Sequence, residues 1–154
     1  MGCCRLSDIE RRFDSGASAE EAARRGHAPR LRLLAGDFVE LAATLDEADV
    51  VTLDRVICCY PDVERLVSLS AGAARRLYGA VYPRDVWWVR LALVAENLMR
   101  RLRGSSFRAF LHSPSAIVAA LRRAGLEPTF LRRTFIWEVV VCRRVADGPD
   151  AGRD

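Results

Sequence analysis

The sequence predicts an α/β fold: a mostly parallel sheet with helices on both faces, ending in an antiparallel hairpin. Two patterns predict it. Short β-branched or apolar runs alternate with helix-period segments from Leu31 to Arg123, as parallel strands and their crossover helices do. Two consecutive β-rich runs, Pro128 to Thr134 and Ile136 to Val145, then argue for one antiparallel hairpin at an edge. At 154 residues, 51% hydrophobic and 29% charged, the chain is expected to form one globular domain with a real core. Its predicted extent is 18–145, preceded by a poorly defined segment, 1–17, and followed by a disordered tail, 146–154.

The elements follow in order. SAEEAARR, Ser18 to Arg25, offers an N-cap, early glutamates and late arginines, and Gly26 stops the helix. LRLLAGDF, Leu31 to Phe38, reads as a buried strand running into a loop, and Val39 to Leu45 as one or two helical turns. DVVTL, Asp49 to Leu53, is a strand by its β-branched content. Asp62 caps a helix predicted to continue through Leu77, and Leu77 to Tyr82 is a strand that Pro83 ends.

Val86 to Arg103 is the longest helical pattern. Trp87, Trp88, Leu91, Val94, Leu98, Met99 and Leu102 share one apolar face, with Arg90, Glu96, Asn97, Arg100 and Arg101 opposite. Charges interrupt every apolar run well before the ~20 residues a membrane span needs. The helix is read as a lid or outer helix, and contact with a membrane surface is a lesser expectation. Ser113-Pro114 then starts a helix that Gly125 stops.

The net charge of +4 does not point to nucleic acid. All 24 basic residues are arginine, spread mostly in pairs beside acidic residues or helix ends, and no recognition motif accompanies them. The first residues lack the apolar run of a signal peptide, so a cytoplasmic protein with reduced cysteines is expected. No metal is expected: no Cys-x-x-Cys occurs, and His27 and His112 have no ligand partner at a usual spacing. In extended chain, Cys58 and Cys59 would point opposite ways.

Three stretches carry a family resemblance. LAGDFVEL, DVVTLDRVICCYPDVERLV and HSPSAIVAALRRAGLEP, with the closing hairpin, resemble the class I S-adenosylmethionine-dependent methyltransferases of small molecules, over about Ser18 to Arg144. The resemblance implies a Rossmann-like sheet and S-adenosylmethionine as cofactor. It places Asp37 at the adenine amino group, Phe38 against the base, and Asp54 and Arg55 in the remaining cofactor contacts. Cys59, Tyr60 and Trp87 would line the pocket of a small acceptor, for which a hydrophobic molecule is allowed. Tyr60, Tyr82 and His112 are the candidates for polarising the acceptor or taking its proton.

One feature departs from the family. No segment provides a first strand followed by a glycine-rich loop, whose backbone could approach the cofactor closely. The sequence therefore admits two readings: a methyltransferase with weak activity, or a non-catalytic remnant used for interaction or dimerisation.

Overall fold

The computed structural model describes residues 36–145 continuously and, ahead of them, 20, 21, 23–27, 29 and 34. Residues 20, 21, 23 and 24 are helical, and Gly26 follows at φ 70, as its stop role requires. The expectations for 1–17 and 146–154, and for most of the Leu31 to Phe38 strand, lie outside the described residues. At its end that strand is corrected. Phe38 opens a helical turn, α1 (Phe38–Leu41), because Asp37 Oδ1 accepts the Val39 amide at 2.8 Å and caps it. Gly36 permits the approach: at φ 154, an added Cβ would lie 2.5 Å from Leu41 Cδ1.

Strand β1 (Ala48–Asp54) leads through a 3-10 turn, Ile57–Cys59, to helix α2 (Val63–Gly72), whose Asp62 cap accepts the Arg65 amide at 3.0 Å. The predicted continuation of α2 to Leu77 is corrected. The helix ends at Gly72, and β2 (Ala74–Pro83) takes the next residues because Ala74 pairs with Ala48 and opens a parallel ladder. Sheet pairing outweighs the helical propensity of Ala74 to Leu77.

Helix α3 (Trp87–Leu102), helix α4 (Pro114–Arg123) and the hairpin β3 (Leu126–Arg133) and β4 (Trp137–Arg144) complete the chain. The sheet order is β1-β2-β4-β3, with β1 and β2 parallel and β4 antiparallel to both neighbours. The central β4 is the more buried strand of the hairpin, as its sequence predicts, and β3 is the edge.

Strand alternation sorts the core onto one face. Leu53, Tyr78, Ala80, Tyr82, Val140 and Cys142 meet Leu66, Val67 and Ala71 of α2 and Ile117, Ala120 and Leu121 of α4. Arg144 ties this layer together: its guanidinium donates to the carbonyls of Ala71 at 2.8 Å, Ala74 at 2.8 Å and Ala124 at 2.9 Å. It thereby satisfies carbonyls at the carboxyl ends of both helices, which have no partner within the helix.

The packing of α3 overturns its predicted orientation. Val89 is its one buried residue, and Trp87, Leu91, Val94, Leu98 and Leu102 of the predicted apolar face are exposed. Two contacts set the rotation. Trp88 stacks on Phe135 of the hairpin tip at 4.2 Å, and Asn97, predicted to face solvent, clamps the following loop.

Candidate functional site

A cleft of about 850 Å³ opens at the carboxyl ends of β1 and β2, where open α/β sheets place ligands. One wall is Arg55, Cys58 and Cys59, and α3 contributes Trp88, Glu96 and Arg100. Phe107 and Trp137 supply further aromatic surface from the loop after α3 and from the start of β4. Mostly apolar surface with a few polar groups suits a small organic ligand.

The loop after α3 is held by its backbone. Asn97 Nδ2 donates to Ala109 O at 2.8 Å, and its Oδ1 accepts the Ala109 amide at 2.9 Å. Phe110 N donates to Cys58 O at 2.7 Å, which lays the loop along the 3-10 turn. Arg100 reaches Glu96 through Nε at 3.1 Å and lies over the Phe107 ring at 4.7 Å, so its charge is compensated within the cleft wall.

Arg55 is the described non-glycine residue with a left-handed backbone, at φ 57. That conformation costs roughly 1–2 kcal/mol and needs support. The support is local. Arg55 N donates to Val81 O at 3.0 Å, and Arg55 O accepts from the Cys58 thiol at 3.3 Å and the Cys59 thiol at 3.6 Å. Its guanidinium sits 3.3 Å from Asp54 and 5.8 Å from the Trp137 ring centre.

The structure brings several of the sequence-predicted residues together. Asp54, Arg55 and Cys59 stand in sequence order at the end of β1, with Arg55 and Cys59 on the cleft wall. Tyr60 donates its hydroxyl to Asp37 Oδ2 at 3.3 Å, so the residue after the 3-10 turn holds the carboxylate assigned to adenine. Phe38 packs partly buried against the core. His112 Nε2 donates to Tyr60 O at 2.9 Å, which makes it a brace for this segment.

Of the predicted site residues Arg55 and Cys59 line the cleft, and two of the others are turned away from it altogether. Tyr82 falls on the core face of β2 by strand alternation and is buried, its hydroxyl donating to Glu138 Oε1 at 3.0 Å. Trp87 is 76% exposed and does not line the cleft; the Trp88 stack on Phe135 turns the next position inward instead. The extended geometry expected of Cys58 and Cys59 is also corrected. Both lie in the 3-10 turn, with sulfurs 3.8 Å apart. Among the described residues no three His, Cys, Asp or Glu side chains group to hold a metal ion.

Sequence reasoning missed Asn97, Phe107 and Trp137. Phe107 and Trp137 lie outside helical periodicity, and Asn97 read as a polar surface residue.

The β1-β2-β4-β3 sheet with its helices matches part of the class I S-adenosylmethionine-dependent methyltransferase fold. Solved structures of small-molecule methyltransferases share it. An O-methyltransferase family protein from Burkholderia thailandensis matches with a TM-score of 0.65 at 16% identity, over 86% of this chain and 41% of its own. Magnesium protoporphyrin IX methyltransferase from Synechocystis PCC 6803, with bound S-adenosylhomocysteine, matches at 0.56 and 17%, over 78% and 58%. Mitomycin 7-O-methyltransferase matches at 0.55 and 25%, over 82% and 38%. The chain thus spans between about two fifths and three fifths of these proteins' lengths. No family model matches the sequence, and no curated protein does.

Proposed function

We propose that the chain serves S-adenosylmethionine-dependent methyl transfer to a small, largely apolar and aromatic acceptor. The observation that carries this reading is the placement of the aromatic cleft directly beside Asp54 and Arg55, at the carboxyl ends of two parallel strands. The cofactor would supply a methyl group on a sulfonium that is already a good leaving group. The protein's task is then to align the acceptor and exclude water, more than to move protons.

The described residues fit one part of such a cofactor. Asp37, held by Tyr60, would present the adenine-side carboxylate with Phe38 next to it, and Arg55, paired with Asp54, lines the cleft. Trp88, Phe107 and Trp137 would sandwich a planar acceptor, with Cys59 beside it. No glycine-rich backbone cradle accompanies them in the sequence. A hydrogen bond to a charged group is worth ~1.5–3 kcal/mol, so affinity is expected to be orders of magnitude below that of a protein with such a cradle.

Calorimetric titration with S-adenosylhomocysteine tests the reading. Binding that weakens at least about tenfold in Asp37→Ala supports it, since one charged hydrogen bond is at stake. Equal heats in both proteins would remove the cofactor assignment. A second reading, an interaction module without catalysis, is favoured by the exposed Trp87, Leu91, Val94, Leu98 and Leu102 of α3. Self-association abolished by Leu91→Glu/Leu98→Glu, with no cofactor binding, would establish it instead.

A further inference from the structure

We propose that Cys58 and Cys59 form a reversible dithiol-disulfide pair on the cleft wall, oxidised by peroxide and controlling the Arg55 backbone. The 3-10 turn brings the two sulfurs to 3.8 Å, with both thiols aimed at the same carbonyl, that of Arg55. Cys59 is the less buried of the two, and both border the open cleft. An oxidant entering the cleft therefore meets Cys59 with a second thiol already in reach.

The chemistry assigns each sulfur a part. The Cys59 thiolate attacks one peroxide oxygen, the O–O bond breaks, and the hydroxide released takes a proton to become water. Cys59 is then a sulfenic acid. Cys58 sulfur attacks the Cys59 sulfur, the S–O bond breaks, and the leaving hydroxide takes the Cys58 proton. Two thiols and one hydrogen peroxide thus give one disulfide and two waters. The hydrogen bond to Cys59, together with burial, pushes the Cys58 thiol far above its ordinary range, which leaves the first attack to Cys59.

Two physical consequences follow. Neighbouring Cα atoms are about 3.8 Å apart, below the ~4.4–6.8 Å that disulfides usually span, so the bond is strained and readily reduced by a dithiol. Oxidation also removes both S–H donors from the Arg55 carbonyl. The left-handed residue at the cleft mouth then loses two of the bonds that hold it.

The test uses the full chain with Cys3→Ser and Cys4→Ser, which removes the other adjacent pair. One equivalent of hydrogen peroxide should convert the tryptic peptide Val56 to Arg65 into a form lighter by two hydrogen atoms, restored by dithiothreitol. Cys58→Ser should stop at a sulfenic acid on Cys59 that dimedone traps, and Cys59→Ser should react far more slowly. In the native protein, tryptic cleavage after Arg55 should be several-fold faster when oxidised. A sulfinic acid at Cys59, or disulfide-linked dimers without the lighter peptide, would overturn the pair. An unchanged cleavage rate would overturn its control of Arg55.

Discussion

The Tyr82 hydroxyl donates to Glu138 Oε1 across 3.0 Å, on the core face of the sheet, where Tyr82 and Val140 are among the most buried side chains. Glu138 is only 4% exposed and accepts from Arg133 Nε at 2.6 Å, so the carboxylate enters the core with two donors. One of them is a charged guanidinium, which such a carboxylate needs to be tolerated there. Burial, and next the Glu138 charge, push the Tyr82 phenol well above its ordinary range.

Alkaline destabilisation is the first prediction. Burial likewise raises Tyr78 from its usual value near 10 to about 12, with the Ser70 hydroxyl 2.9 Å away offsetting it only in part. A phenol whose folded pKa is raised stabilises fully below the unfolded value and loses that contribution as pH climbs through the folded one. Stability should therefore fall from pH ~10 through ~12 by about 3 kcal/mol on account of Tyr78. Urea unfolding across that range checks it, and Tyr78→Phe should flatten the slope. An identical slope in that variant would contradict it.

Arg144 is expected to be the most costly single polar residue to replace. Its guanidinium serves Ala71, Ala74 and Ala124 together, three carbonyls at element ends. Arg144→Met leaves them without that donor and should cost about 2–4 kcal/mol, at ~1–3 kcal/mol per unsatisfied buried group with partial hydration. Arg144→Lys, lacking the planar fork, should recover less than half of the loss. Chemical denaturation of the three proteins gives the comparison, and full rescue by lysine would argue for charge alone.

Asn97 should govern the loop after α3 without governing the fold. Asn97→Ala removes both bonds to Ala109, so hydrogen exchange at Ala109 and Phe110 should speed up by roughly tenfold, about 1.4 kcal/mol of local opening. Amides of β2 and β4 should keep their protection. Faster exchange throughout the sheet would mean that the loop is part of the global fold.

The sequence by itself determined the element order, since periodicity, caps and stops are local. Asp62 at the head of α2, Pro114 at the head of α4 and Gly125 at its end were readable as single residues, and so was the closing hairpin. The location of the candidate site was readable too, because ligands gather at the carboxyl ends of parallel strands and DRVICCYPD follows such a strand.

Tertiary structure alone decided which side chains face it. Ala74 to Leu77 joined β2 because a neighbouring strand offered a ladder, a non-local gain that propensity cannot contain. The rotation of α3 was set by Trp88 on Phe135 and by Asn97 on Ala109, contacts 47 and 12 residues apart in the chain, so that Trp88 rather than Trp87 lines the cleft. The two thiols of Cys58 and Cys59 converge because a 3-10 turn, and no extended strand, carries them. Local pattern sets the order and kind of the elements; their exact ends, as at Ala74, and the face each turns inward depend on partners distant in sequence.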